Sequence, residues 1–238
     1  MLKDRLYIVI PAYNEEMNIE SVAKEWHEVV AKIGNNSKVA IIDDGSNDHT
    51  YKKLLALQKQ LPCLVTITKS NSGHGATILY GYHYAIKNNA DYVFQTDGDG
   101  QTLPSEFASF WEDRTKYSAI IGHRNRRQDG LSRSFVTKTL KLVLFLIFGL
   151  NVVDANTPFR LVKTRVLKKY IEKIPKDFNL SNVMLTVLLV KNKENIDFRP
   201  ITFRPRQGGV NSINLTRIFK IGLKAVKDFS AIKKSLDV

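Results

Sequence analysis

The sequence predicts an α/β protein built on a mostly parallel sheet flanked by helices, and three observations carry that expectation. Short apolar runs alternate with amphipathic stretches through the first half. Polar clusters follow the first, second and fourth runs, where a parallel sheet places its ligands. No internal repeat, low-complexity tract or Pro/Gly/Ser linker interrupts the chain.

Tyr7–Ile10, Val39–Ile42, Leu64–Thr68, Tyr92–Thr96 and Ala119–Gly122 read as strands, each short and rich in β-branched or aromatic residues. Between them Glu15–Ile33 reads as a helix, with Ile19, Val22, Trp26, Val29 and Ile33 at helical spacing. Thr50–Gln60, Ala76–Asn88 and Pro104–Thr115 follow as further helices. Residues 142–150 form the most apolar window. Lys138 and Lys141 on one side and Asp154 on the other leave it shorter than the ~20 apolar residues a spanning helix needs. It is expected to be either a buried core helix or an in-plane interfacial one. The tail from Asn214 to Phe229 sets Leu215, Ile218, Phe219, Leu223, Val226 and Phe229 against Arg217, Lys220, Lys224 and Lys227. We therefore expect one domain over residues 1–213 and a basic amphipathic helix in 214–238, packed on that domain or on a membrane.

Hydrophobic content of 43% and charged content of 25% are those of an ordinary globular protein. The single cysteine, Cys63, excludes an internal disulfide framework and makes a reducing compartment the default. The first apolar run reaches Pro11 too soon for a signal peptide, so a cytoplasmic location is expected. A net charge of +13 asks for an anionic partner: nucleic acid, an anionic membrane surface or phosphorylated small molecules. Its aromatics largely occupy apolar periodic positions rather than alternating with basic residues, which argues against nucleic acid.

Asp97-Gly98-Asp99-Gly100-Gln101 is the stretch with the most chemistry. Two carboxylates one residue apart at a strand end can face the same way. Two hard oxygen ligands and an amide oxygen suit Mg²⁺ or Mn²⁺, which keeps positions open for phosphate oxygens. Asp43-Asp44-Gly45-Ser46 could cap the following helix through Asn47 or Asp48, or accept hydrogen bonds from a nucleotide base or ribose. Glu15 could serve only its helix's first turn. Asn71-Ser72-Gly73-His74-Gly75 offers glycines and free N–H groups to a phosphate or sugar. His74 has no carboxylate or cysteine nearby in sequence, so a metal-ligand role is not expected for it.

Taken in order, Pro11-Ala-Tyr-Asn-Glu15, Asp43-Asp-Gly-Ser46, Asn71-Ser-Gly-His-Gly75, Asp97-Gly-Asp-Gly-Gln101 and Gly122-His-Arg124 resemble the inverting family 2 glycosyltransferases of GT-A fold. Arg133-Ser134, the apolar helix, Asp154-Ala-Asn-Thr-Pro-Phe-Arg-Leu161 and Arg206-Gln-Gly-Gly-Val-Asn-Ser212 resemble the dolichol-phosphate mannose synthase branch, which includes bacterial polyprenyl-phosphate glycosyltransferases. The resemblance runs from Tyr7 to Ser212.

It implies that Pro11, Tyr13, Glu15, Asp43, Asp44, Gly73 and Asp97 hold a UDP- or GDP-sugar. Asp97, Asp99 and Gln101 would hold the divalent cation. Arg124, Arg133, Arg206 and Ser212 would meet donor or acceptor phosphates, and Asp99, Arg133 and Asp154 would take part in the chemistry. The implied acceptor is a polyprenyl phosphate at the cytoplasmic membrane surface, reached by peripheral association with the membrane or a membrane partner. A sugar hydroxyl of a glycan or glycolipid is the alternative acceptor. The chain departs from the branch in two places: Gly98 and Gly100 stand where larger residues are common, and Ile213 follows Ser212 where a lysine is frequent.

Overall fold

The computed structural model describes residues 4–124, 130–205 and 226–234, side chains of 130–137 excepted. Seven strands form one sheet in the order β3-β2-β1-β4-β6-β5-β7. They are β1 (Leu6–Ala12), β2 (Lys38–Asp43), β3 (Leu64–Thr68), β4 (Tyr92–Thr96), β5 (Ala119–Arg124), β6 (Phe159–Lys163) and β7 (Ile196–Ile201). Only β6 runs against its neighbours, pairing antiparallel with both β4 and β5. The helices are α1 (Ile19–Ile33), α2 (Thr50–Gln58), α3 (His74–Lys87), α4 (Phe107–Glu112), α5 (Gly130–Phe148), α6 (Thr164–Tyr170) and α7 (Ser181–Lys191).

The sheet is buried on both faces, which is why its central strands are continuous apolar runs rather than alternating ones. In β1, Leu6, Ile8, Ile10 and Ala12 point toward Trp26 of α1 and the aromatic group Phe94, Phe107, Phe110 and Phe159. Tyr7 and Val9 point the other way, toward α3 and α7. Helix α3 lies so close on β1 that a Cβ on Gly81 would stand 2.2 Å from Val9 Cγ1. Residues Ser181–Leu189 of α7 are all buried, so that helix is apolar on every side.

The five expected strands are all present, three of them longer by two or three residues. Of the expected helices, the third begins two residues earlier, at His74, and the others are shorter than expected. The first begins at Ile19 rather than Glu15, because residues 16–18 form a turn closed by Asn18 N–H donating to Glu15 O at 2.9 Å. The fourth is split into a 3₁₀ turn at Pro104–Glu106 and the short α4. The apolar window 142–150 covers the end of α5 and the two residues after it, and it is only partly buried. Leu144 is buried, while Leu142, Phe145 and Leu146 are 56%, 58% and 71% exposed. Among the described residues no helix is long and apolar enough to cross a membrane.

Most of the expected tail helix, and the boundary at 213/214, lie outside the described residues. Residues 226–234 are helical and bury Phe229 and Ile232, with Phe229 against Phe148 and Phe178.

Candidate active site

Strands β1, β2, β4, β5 and β7 all end at one edge of the sheet, and β6 begins there. The polar clusters therefore gather at that edge.

The loops after β1 and β2 are knitted to each other. Asp44 N–H donates to Ala12 O at 2.8 Å, Asn14 N–H to Ser46 Oγ at 2.9 Å, and Asn47 N–H to Asn14 Oδ1 at 2.9 Å. Asn14 takes a left-handed conformation (φ 54°) to do so. Glu15 is tied locally, its N–H donating to Thr50 Oγ1 at 2.8 Å and its carboxylate accepting from Asn18 Nδ2 at 2.8 Å. The N-cap of α2 is His49 rather than the expected Asn47 or Asp48; Asp48 stands just before it and accepts from Thr50 N–H at 2.9 Å, bracing the turn into the helix. Pro11 is buried in the strand and Tyr13 projects into solvent.

Asp43 and Asp44 are buried and have partners of their own. Asp43 accepts from Thr68 Oγ1 at 2.8 Å. Asp44 pairs with Lys69 and accepts from Ser72 N–H and Gly73 N–H, each at 2.9 Å. Burial alone would raise the Asp44 carboxyl, but the bonds from Lys69 and Ser72 outweigh it and hold the group below its ordinary range. Asp44 thus folds the Asn71–Gly75 loop onto the end of β2 and keeps Gly73 and His74 at the N-terminus of α3.

That N-terminus is also clamped from the other side. A Cβ on Gly75 would lie 2.1 Å from Phe178 O and 2.5 Å from Asn179 O, both backbone atoms that cannot turn aside. We expect Gly75→Ala to destabilise the protein by about 3 kcal/mol, at the upper end of overpacking costs. Urea denaturation measures this, and a loss under 1 kcal/mol would mean the two segments separate without strain.

The loop of Asp97 to Gln101 is pinched at its base, where Thr96 Oγ1 and Thr102 Oγ1 lie 2.7 Å apart. Gly100 turns it with φ +71°, a conformation larger residues rarely adopt, which accounts for glycine at this departure from the branch. Asp99 Oδ1 accepts from Gln101 N–H at 3.0 Å, and Gln101 Nε2 donates to Arg204 O at 3.3 Å. Arg204 grips the loop further, donating to Gly100 O, with its backbone N–H on Gln101 O at 2.9 Å and its guanidinium on Glu25 at 3.0 Å. Sequence reasoning passed over Arg204, because nothing local marks it as a partner of residues a hundred positions away.

Asp97 is surrounded by protein yet keeps 24% of its side chain exposed. Burial pushes its carboxyl up to about 6, with Asp99 adding to the rise and His74, Arg124 and the Gln95 hydrogen bond opposing it. His74 Nε2 lies 3.6 Å from Asp97 Oδ1, so the expectation that this histidine has no carboxylate companion is corrected: packing of α3 beside β4 supplies one. Arg124, at the end of β5, stacks its guanidinium 4.0 Å above the ring of Phe203. Asp154 is buried, accepts from Asn156 N–H at 3.2 Å and is electrostatically linked to the buried Arg160. Arg133 lies on α5 with its side chain undescribed, and Arg206 and Ser212 fall outside the described residues.

Among the described residues no three His, Cys, Asp or Glu side chains converge as a closed metal cluster. Two neighbouring carboxylates, both partly exposed and one of them raised by burial and by the other, fit an open site for Mg²⁺ or Mn²⁺ instead.

Residues 7–174 match the family described as glycosyl transferase family 2. The chain belongs to glycosyl transferase family 2.

This family 2 chain is 27% identical over 219 residues to the UDP-N-acetylglucosamine–dolichyl-phosphate N-acetylglucosaminyltransferase of Methanococcus voltae, covering 82% of this chain and 84% of that one. It is 26% identical over 163 residues to the undecaprenyl-phosphate 4-deoxy-4-formamido-L-arabinose transferase of Pectobacterium atrosepticum, covering 67% of this chain. The match spans about half the length of that relative (49%). Neither relative is named for mannose. The fold is GT-A. It superposes with a TM-score of 0.71 on glucosyl-3-phosphoglycerate synthase from Mycobacterium tuberculosis in complex with Mn²⁺, UDP and glucosyl-3-phosphoglycerate. That comparison covers 97% of this chain and 80% of the other at 14% identity, which speaks to fold alone.

Proposed function

We propose that the chain transfers a sugar from a nucleoside-diphosphate sugar to a polyprenyl phosphate, with inversion at the anomeric carbon. The observation that carries the donor half is the pairing of Asp97 and Asp99 on a braced loop, with His74 and Arg124 electrostatically coupled to Asp97. A divalent cation held by Asp97 and Asp99, with Gln101 beside them, would supply neutralisation of the charge developing on the departing diphosphate. Tyr13, Glu15, Asp43, Asp44 and Gly73 frame the adjoining loops, where a nucleotide would seat.

Support for the acceptor comes from both relatives, whose names specify lipid phosphates. A phosphate monoester has a second pKa of about 6 and is largely ionised at neutral pH. It needs little help from a base. It needs cations to bring it beside a second anion, a role for Arg124 with Arg133 and Arg206. Asp154 would orient the acceptor side. The exposed Leu142, Phe145 and Leu146 beside exposed Lys138 and Lys141 suit an anionic bilayer, bringing the enzyme to its lipid peripherally.

The test is release of free nucleotide from a panel of UDP- and GDP-sugars with Mn²⁺, with and without a short-chain polyprenyl phosphate. Lipid-dependent release, with sugar appearing on the lipid, is expected. Donor binding without lipid-dependent turnover would move the acceptor to a glycan hydroxyl. For the membrane contact, Leu146→Glu is expected to reduce co-sedimentation with anionic phospholipid vesicles several-fold, while donor binding is unchanged. Unaltered sedimentation would remove α5 from the contact.

A further inference from the structure

Beneath the Asp97 loop lies a buried polar chain that neither the motif nor the family likeness accounts for. Gln95 is completely buried in β4, two residues before Asp97. Its Nε2 donates to Asp97 Oδ1 at 3.1 Å, and its Oε1 accepts from Asn182 Nδ2 at 3.0 Å. Asn182, also buried, opens α7, 87 residues further along the chain. The backbone carbonyl of Asn182 is held in turn by Arg160 Nη1 at 2.9 Å and Thr186 Oγ1 at 2.8 Å.

The direction of this chain has a physical cause. An ionised carboxylate accepts only, so the amide of Gln95 must turn its NH₂ toward Asp97 and its carbonyl away. A buried carbonyl aimed away from solvent needs a donor, and the amide of Asn182 supplies it. Without that donor, the Gln95 amide loses one of the two contacts that distinguish its orientations and keeps only the one to Asp97. The flipped orientation would set a carbonyl oxygen against a carboxylate oxygen.

We propose that Asn182 is a positioning residue for the metal-binding carboxylate: by fixing the orientation of the Gln95 amide, it fixes the rotation of the Asp97 carboxylate that would hold the divalent cation. The inference rests on the metal reading of Asp97 and Asp99. Asn182 touches neither substrate nor cation. Its effect passes through one amide, and partners in that position commonly set metal affinity by about 10–100-fold.

The same short segment that carries Asn182 also bears on the N-terminus of α3. Ser181 Oγ donates to Gly75 O at 3.0 Å, and Asn179 Oδ1 lies against Gly73. One segment, 178–182, thus couples the cation loop to the loop proposed to face the donor.

The experiment is a Mn²⁺ titration followed by electron paramagnetic resonance on the full chain in the presence of UDP, with thermal unfolding as the control for folding. Asn182→Asp keeps the shape of the side chain but replaces the donor with an acceptor, which attracts the NH₂ of Gln95 and turns its carbonyl toward Asp97. Mn²⁺ affinity should fall about tenfold or more. Asn182→Ala, the milder change, should give a smaller loss in the same direction.

Gln95→Leu should lose at least as much, and adding Asn182→Ala to it should lose little more, since the path is then already cut. Wild-type Mn²⁺ affinity in any folded member of this set overturns the inference. Additive losses in the double variant do so as well, by giving Asn182 an independent route. Asp97→Ala and Asp99→Ala serve as reference. If they too bind Mn²⁺ normally, the metal reading has failed; if they lose it while the Asn182 and Gln95 variants do not, only the present inference has.

Discussion

Asp99→Ala is expected to lower sugar transfer by about 10²–10³-fold, the scale of removing one electrostatic stabiliser of a transition state. Its expected effect on stability is small. Asp99 is only partly buried, and its Oδ1 receives one backbone N–H, from Gln101. The variant should therefore unfold near the wild-type midpoint while Mn²⁺ binding and turnover fall together. A second consequence follows from the electrostatics. Asp97 is pushed up to about 6 by burial first and by Asp99 second. Removing Asp99 should bring the Asp97 carboxyl down without returning it to the ordinary range, because burial remains. Carbon-13 labelling of aspartate carboxyls in the cation-free protein would read that shift. Turnover within threefold of wild type would overturn the metal assignment.

The largest expected loss of stability is at Arg160. Its guanidinium is fully buried and makes five hydrogen bonds: two to Thr157 O, one each to Ala155 O and Asn182 O, and one to Thr186 Oγ1. Burial lowers its pKa, while Tyr82, Asp154 and Asp97 oppose that through space. Replacing a buried ion pair by apolar residues can be harmless when both partners are replaced. Here three of the acceptors are backbone carbonyls that no substitution removes. Arg160→Leu would strip Thr157 O of both guanidinium donors, leave Ala155 O and Asn182 O to share Thr186 Oγ1, and remove a positive charge near Asp154. We expect a loss of about 3–5 kcal/mol, measured by urea denaturation. Arg160→Lys should recover only part, since an ammonium has three donors and no fork. A loss under 1 kcal/mol for Arg160→Leu would show that water reaches these carbonyls.

These two residues differ in how far the sequence announces them. Asp99 sits in a local pattern of acids and glycines behind a strand, and the strand itself was legible because burial on both faces makes β1, β2 and β4 continuous apolar runs. The later elements carry weaker signals. Strand β6 begins Phe-Arg-Leu-Val-Lys, and the arginine that breaks its apolar character is the buried one. Strand β7 contains Asp197, Arg199 and Pro200; it lies at the sheet edge, where proline and charge are tolerated. Helix α7 shows no amphipathic stripe because protein surrounds it. His74 with Asp97, Lys69 with Asp44, Arg204 with Gly100 and Asn182 with Gln95 are contacts between segments 23 to 104 residues apart, or between loops that only the sheet order brings together. Local spacing contains no trace of them.

The reversed direction of β6 has one more consequence. Since β5 ends and β6 begins at the same edge, everything from residue 125 to 158 leaves the sheet and rejoins it at neighbouring positions, Ile121 pairing with Arg160. Topologically it is a cassette hung on the rim. Its replacement would interrupt no strand, provided the residues standing for Leu144, Val152 and Ala155 still fill the core they share with β1, β2 and α7. If this interval carries the acceptor side, as proposed for Arg133 and Asp154, exchanging it between relatives is a way to redirect what receives the sugar while retaining what delivers it.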